Sequence, residues 1–327
     1  MILVTGATGF IGNVLVRKLL LKKEKVRVVT LPSDDLRPLK GLDVDMVPGD
    51  VTKPQSLVPA FEGADVVFHL AGMVSIMPNQ DHILKEVNVK GTQNVVETCL
   101  ELDVNRLIYT SSVHALKEPP HGVIIDETCG YHPEYSRGGY DLSKAQASLE
   151  VLKGVKRGLD AVIICPSGVM GPCDYNVSQM GQLIINYLNG NLKAYIDGAY
   201  DFVDVRDVAQ GLISACKRGK TGESYILSGE KITVRHLLFL LEEETGIKRP
   251  KLKIPLWLAK VAGKITPLYY KKRKSRPLFT SYSAEVLLSN CNISSDKARI
   301  ELGYSARPLS ESIRDAVDWF KENPPLN

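Results

Sequence analysis

The chain has 327 residues, 44% of them hydrophobic and 24% charged, with a net charge of +4. These are ordinary values for a folded globular protein long enough to build two lobes around a cleft. No apolar run reaches the roughly 18 residues of a membrane span, MILVTGATGF lacks the basic region of a signal peptide, and six cysteines show neither CxxC nor metal-ligand spacing, so the expectation is reduced thiols, a cytoplasmic location and no metal.

In chain order, the first half alternates β-branched runs with helical patterns. ILVT (2–5) reads as a buried strand, and TGATGFIG follows it at the start of an apolar helix near 11–22. Gly6, Gly9 and Gly12 there are spaced GxxGxxG. Glycines permit a tight turn and a close backbone approach, and the helix start offers unpaired N–H groups to a pyrophosphate. The next strand, VRVVT (26–30), ends at Thr30-Leu31-Pro32, where dinucleotide-binding folds often place an acid for the adenosine ribose or an arginine for a 2′-phosphate. Neither type stands there, although Asp34, Asp35, Arg37 and Lys40 follow.

Further along, DVVFHLA (65–71), RLIYTSS (106–112) and AVIICP (161–166) read as strands, with helices expected near 54–62, 82–102 and 140–157. This alternation predicts a doubly wound parallel sheet covered on both faces. A dinucleotide-binding lobe is expected over 1–165 and a smaller substrate lobe over 166–327, with 200–230 returning to the first. LWLAKVAGKI, within 250–281, reads as an amphipathic helix, and a closing helix is expected over about 309–322. From Lys248 to Arg276 there are eleven Lys/Arg and no Asp/Glu, which leaves the rest of the chain at −7. A solvated surface is the plain explanation; an anionic substrate tail or peripheral contact of 250–276 with an anionic membrane are the alternatives. No nucleic-acid-binding motif accompanies the charge, so nucleic acid is not expected as a partner.

At 140–144 the chain reads YDLSK. On a helix, Tyr140 and Lys144 share a face, and a nearby cation favours the phenolate of a group whose free pKa is about 10. The spacing alone is also that of an ordinary exposed helix.

TGATGFIG together with YDLSK resembles the extended branch of the short-chain dehydrogenase/reductase superfamily, and the resemblance covers nearly the whole chain. GDV (49–51), HLAG (69–72), VNVKGTQNV (87–95, with the structural Asn88), YTSSV (109–113), CPSGVMGP (165–172), VDVRDVA (203–209) and SSDKARIELGY…PLSESIRDAVDWF (294–320) follow in the family's order. The resemblance implies that Tyr140 passes a proton to or from the substrate oxygen, that Lys144 lowers its pKa and holds the nicotinamide ribose, and that Ser112 fixes the same oxygen, with Ser111 as the fallback. It also implies that NAD or NADP lies along Gly6, Thr8, Gly9, Phe10, Ile11 and Gly12. From there it would run past Arg37, Asp50 and Val51 to Leu70, Ala71 and Gly72, then to Tyr140, Lys144, Pro166 and Val169. A homodimer is expected on the same ground.

Dehydratases of this family carry Asp-Glu after the serine/threonine position; Val113 and His114 stand here, so that activity is set aside. The Arg-x-Phe-Asn-x-Tyr-Gly-Pro pattern of sugar-nucleotide enzymes is replaced by ICPSGVMGP (164–172). The segment is more similar to dihydroflavonol reductases, 3β-hydroxysteroid dehydrogenases and bacterial dihydroflavonol-4-reductase-like proteins. The expected activity is hydride transfer between nicotinamide and a ketone or secondary alcohol. A nucleotide-sugar epimerase working by transient oxidation is the alternative, and a non-catalytic cofactor-binding regulator the third reading. His114 is a candidate substrate-pocket donor. Arg206 could meet an anionic substrate group, or pair with Asp204 or Asp207. Thr30 in place of the usual acid, with Arg37 and Lys40 close by, tips the cofactor toward NADP; Leu31, where similar reductases place an arginine, and Asp34 and Asp35 count against it.

Overall fold

Residues 1–75, 80–255, 258 and 286–324 are described in a computed structural model. Its first half runs β1 (Ile2–Thr5), α1 (Phe10–Leu21), β2 (Val26–Thr30), β3 (Asp45–Pro48), α2 (Pro54–Phe61) and β4 (Val66–His69). A helical stretch follows: α3 (Asp81–Leu84), the π-helical Lys85–Lys90 and α4 (Gly91–Glu101). Then come β5 (Arg106–Thr110), α5 (Gly139–Lys156) and β6 (Ala161–Pro166). The second half contains β7 (Gly168–Met170), α6 (Gln179–Leu188), β8 (Ala194–Ile196), β9 (Ala199–Asp204), α7 (Val205–Arg218) and β10 (Ser224–Leu227). It ends with β11 (Glu230–Thr233), α8 (Val234–Thr245), β12 (Leu252–Ile254), α9 (Asp296–Leu302) and α10 (Leu309–Glu322).

Seven strands pair in parallel in the order β10-β6-β5-β4-β1-β2-β3. Side chains alternate across the sheet, so adjacent residues feed two different cores. Val4, Val28, Phe68, Ile108 and Ile164 pack with residues of α1 and α7 on one face. Leu3, Val29, Val67, Leu107 and Ile163 pack with α2, α4 and α5 on the other. Both faces being covered, β6 is buried at every position, which is why these strands read as continuous apolar runs. The doubly wound α/β fold expected from the alternation is the one formed. Chain order reverses between β1 and β4, and the crevice outside the carboxyl ends of the strands there is where such sheets bind ligands.

A three-stranded sheet, β11-β9-β7, and the pair β12-β8 form a second assembly. Its core gathers Ile184 and Tyr187 of α6, Leu237, Leu238 and Leu241 of α8, and Ile313 and Val317 of α10. Before α10 the chain crosses back: Ala298, Leu302 and Tyr304 sit in the first core.

Three expectations differ in detail. β4 and β5 stop at His69 and Thr110, because the residues after them leave the sheet to line the site. β3 was not foreseen: DMVP is an edge strand with mostly exposed residues and no apolar run. The helix expected over 82–102 is interrupted by the π-helical turn that carries Asn88. LWLAKVAGKI lies outside the described residues except for Leu258, and the basic stretch is described only through residue 255 and at that one position. Among the described residues no helix is long and apolar enough to cross a membrane.

Candidate active site

The glycine turn owes its shape to packing against the segment just after β4. Gly6 has φ +71°, and a Cβ there would lie 2.5 Å from the Ala71 nitrogen and 2.6 Å from the Leu70 carbonyl carbon. A Cβ at Gly12 would lie 2.1 Å from the Gly6 oxygen. Gly9 is different, since its Cβ would approach only the Gly6 oxygen, at 3.1 Å. It begins α1 with no side-chain cap and no acid in the first turn. The N–H groups of that turn therefore face outward with the positive end of the helix dipole behind them, a cradle matched to a pyrophosphate. The Asn13 amide donates to the carbonyls of Gly9 (2.9 Å), Phe10 (2.9 Å) and Cys173 (3.1 Å), and Asn176 donates to the Thr8 carbonyl at 3.0 Å. The Cys173–Asn176 segment is thereby tied across the turn, while Phe10 and Ile11 pack into the first core.

At the end of β2, Asp34 accepts from the Leu31 N–H (3.0 Å), and Asp35 binds the Arg37 side chain (Nε 2.7 Å) and backbone N–H (3.0 Å). The short turn beginning at Arg37 is anchored to α1 by Arg17, which donates to the Pro38 carbonyl at 2.8 Å. Asp50 accepts from the Thr52 N–H (2.9 Å) and hydroxyl (2.7 Å), and the Val51 carbonyl accepts from Asn94 (2.8 Å). Pro166 ends β6, and half-buried Val169 pairs with Val203 across β7 and β9.

The catalytic end is built on the carboxyl edge of β5. The Lys144 ammonium donates to the Thr110 carbonyl at 2.7 Å and the Tyr109 hydroxyl at 3.2 Å. Burial lowers its pKa to about 8. Burial pushes the Tyr140 phenol up to about 12, against the opposing pull of the Ser112 hydroxyl that faces it. The ammonium is directed to Thr110 and Tyr109, and desolvation is the largest influence on the phenol. Ser143 donates to the Tyr140 carbonyl (2.8 Å) and accepts from Asn88 (2.9 Å), whose amide also exchanges two hydrogen bonds with the Met73 backbone. A Cβ on Gly72 would lie 3.2 Å from Asn88 Oδ1 and 3.8 Å from Lys144 Nζ, so the loop after β4 runs directly over the lysine.

Of the two serines, Ser111 bonds Ser148 on α5 (2.8 Å), while Ser112 accepts from the His114 N–H (3.2 Å) on the Tyr140 side. His114 also reaches Tyr200, Nε2 to hydroxyl 2.7 Å. Arg206 pairs with Asp204 (2.7 Å) and Asp315 (2.6 Å), whereas Asp207 is held by Arg307 (2.8 Å). Of the two roles offered for Arg206, the structure therefore shows the ion pair. Tyr200 was missed by sequence reasoning; Tyr109 and Thr110, inside YTSSV, and Ser143, inside YDLSK, lie in motifs but were not singled out. No group of residues suited to a metal occurs among the described residues.

Residues 2–228 match the family model described as NAD dependent epimerase/dehydratase family. Sterol demethylase protein B of Methylococcus capsulatus is 36% identical over 98% of each chain. A Synechocystis protein with the provisional name dihydroflavonol 4-reductase is 33% identical over 98% of this chain and 94% of its own. The 3beta-hydroxysteroid-dehydrogenase/decarboxylase isoform 1 of Arabidopsis thaliana is 32% identical over 97% of this chain and 79% of its own. Among solved structures, gox2253 superposes with a TM-score of 0.87 at 33% identity, covering 100% and 99% of the two chains.

Proposed function

The chain belongs to the NAD-dependent epimerase/dehydratase family, and from that premise we propose how its residues divide the work of an NAD(P)-dependent oxidoreductase. Hydride passes between nicotinamide and a ketone or secondary alcohol. The relatives' names support a ring-fused alicyclic or flavonoid-like compound as the substrate class. The observation that carries the assignment is the meeting of Ser112 and Tyr140 at the carboxyl edge of β5, with Lys144 one helical turn along α5.

The uncapped start of α1 and the open face of Gly9 fit a dinucleotide pyrophosphate. Asp50 and Val51 would sit at the adenine, Leu70–Gly72, Pro166 and Val169 along the nicotinamide half, and Lys144 at its ribose. When bound, the nicotinamide supplies or accepts the hydride at the carbonyl carbon. Protonated at neutral pH because burial holds its pKa high, Tyr140 is set to donate to the developing alkoxide, and Ser112 donates to the same oxygen. Residues 1–165 with 200–230 would form the cofactor lobe and the remainder the substrate lobe.

We assign NADP(H) as the preferred cofactor. One oxygen of Asp34 accepts from Leu31 and Asp35 binds Arg37, and Thr30 stands where the usual acid would hold the ribose. Arg37 would exchange Asp35 for a 2′-phosphate, a charge-assisted and often bidentate contact. Titrating NADH and NADPH at fixed ionic strength checks this; tighter NADH binding by tenfold, about 1.4 kcal/mol, would reverse it. Six free thiols, with Cys99, Cys165 and Cys291 buried, support a reducing cytosolic setting, and family membership supports a homodimer, which light scattering would establish.

The test of the main reading is consumption of NAD(P)H by the purified protein with a panel of alicyclic and aromatic ketones. Steady oxidation of added cofactor is expected. A protein that retains tightly held cofactor and shows no net redox change would instead be the epimerase.

A further inference from the structure

Tyr200 reaches the catalytic end from β9, a strand of the second assembly. It is 6% exposed, its hydroxyl lies 2.7 Å from His114 Nε2, and the two rings stack at 8° with centroids 5.8 Å apart. On its other side His114 meets Tyr140 edge-on, with centroids 6.4 Å apart and planes at 67°. Its Nδ1 is 3.8 Å from an oxygen of buried Asp141, the residue after Tyr140. Its backbone N–H donates to Ser112 Oγ. One residue thus touches, by ring or by backbone, both groups assigned to the substrate oxygen.

The turn that holds His114 is short, Val113–Ala115, closed by Ala115 N–H to the Ser112 carbonyl (3.0 Å) and Leu116 N–H to the Val113 carbonyl (3.1 Å). The turn's backbone is held by these bonds and by buried Val113, Ala115 and Leu116, whereas the direction of the imidazole is left to its side-chain partners. A serine hydroxyl has one proton and two lone pairs. With the His114 N–H on one lone pair, the Ser112 proton remains to be given to the substrate oxygen.

We propose that Tyr200 is a positioning residue: by fastening His114 it sets the Ser112 hydroxyl as a donor and fixes the edge against which Tyr140 works. The second assembly thereby controls the geometry of proton transfer. The proposal rests on the oxidoreductase reading for the roles of Ser112 and Tyr140. The arrangement calls for Nδ1–H directed at Asp141 and Nε2 accepting from Tyr200. Asp141 and Glu118 favour a charged His114, whereas burial and Arg137 oppose it, burial most strongly. Burial also holds Tyr200 protonated, aided by Asp201, Asp141, Tyr140 and Cys291 around it.

The experiment pairs Tyr200→Phe, which keeps the stacked ring and deletes the hydroxyl, with His114→Gln, which keeps a polar partner for Tyr200. Histidine-¹⁵N and tyrosine-¹³Cζ labelling reads the His114 tautomer and the Tyr140 phenol, the latter assigned through Tyr140→Phe. One tautomer is expected in the wild type, and a mixed tautomer with a moved Tyr140 signal in Tyr200→Phe. On a ketone turned over by the wild type, kcat should fall about tenfold or more, the scale of a small misplacement at a reacting centre. KM for the nicotinamide cofactor should stay within about twofold, and His114→Gln should recover part of the loss relative to His114→Ala. An unchanged tautomer and Tyr140 signal, or a wild-type kcat, would overturn the proposal. So would a matching loss of cofactor-induced thermal stabilisation, which would mark a merely structural role. Should no ketone be reduced by the wild type, the oxidoreductase reading fails while the labelled spectra still decide whether Tyr200 governs His114 and Tyr140.

Discussion

At the scale of single residues, the chemistry turns on two buried groups moved in opposite directions. Tyr140→Phe removes the proposed proton donor without touching the phosphate turn, so kcat should fall by about 10²–10⁴ while cofactor still raises the melting temperature; retention of more than about a tenth of wild-type kcat would exclude the role. Lys144, lowered by burial to about 8, is charged at neutral pH and loses its proton just above it. The kcat/KM of reduction, which reports the free enzyme, should therefore fall as pH rises through about 8. Lys144→Arg keeps the charge across that range, so the alkaline limb should vanish even if the rate is lower. A limb that persists in the arginine variant belongs to another group. The proximity of Tyr140, Lys144 and Ser112 was legible because their spacing and order form a motif. The Thr110 carbonyl that holds Lys144 and the Tyr200 hydroxyl that holds His114 were not. A backbone carbonyl has no side-chain signature, and Tyr200 is 86 residues from its partner.

Elements were legible wherever burial on both sides imposes an apolar run, as in β1, β2 and β6. β3 escaped because an edge strand needs no such run. The π-helical turn at Lys85–Lys90 escaped because its reason lies in space: it carries Asn88 to Met73 and Ser143. Another contact between elements is the buried His69, which joins Thr5 of β1 (2.7 Å) to Thr92 of α4 (3.1 Å). Burial lowers its pKa to about 3, with Lys144 adding to the effect. The unfolded chain, with an imidazole near pKa 6.5, takes up a proton that the fold excludes. The stability this residue contributes is thus complete above about pH 6.5 and is lost as pH falls toward about 3, at about 1.4 kcal/mol per unit. His69→Gln, which keeps polar atoms for both threonines, should flatten that dependence. Urea midpoints taken down to about pH 4 would show it, and an acid slope equal to the wild type's would place the linkage elsewhere.

At the scale of the whole molecule, the decisive feature is that the chain's last third is built into both halves. Ala298, Leu302 and Tyr304 complete the core under the main sheet, while α10 completes the second core and is tied to α7 by Arg206 and Asp315. An assembly laced in this way should unfold in one transition, and a ligand on the glycine turn should move all of it. Saturation at about a hundred times Kd adds about 2.7 kcal/mol, which for a chain of this size shifts the midpoint by several degrees. Gly9→Val separates cradle from core. Its Cβ would meet only the Gly6 oxygen within the fold, but the branched side chain would occupy the face where phosphate must approach. That one tight contact should lower the unliganded midpoint by less than a substitution at Gly6 or Gly12 would, and the shift produced by NAD(P)H should disappear across the whole transition. A shift that survives intact would place the phosphate site elsewhere. Two separate transitions, only one of them moved by cofactor, would show that the shared C-terminal segment does not couple the halves.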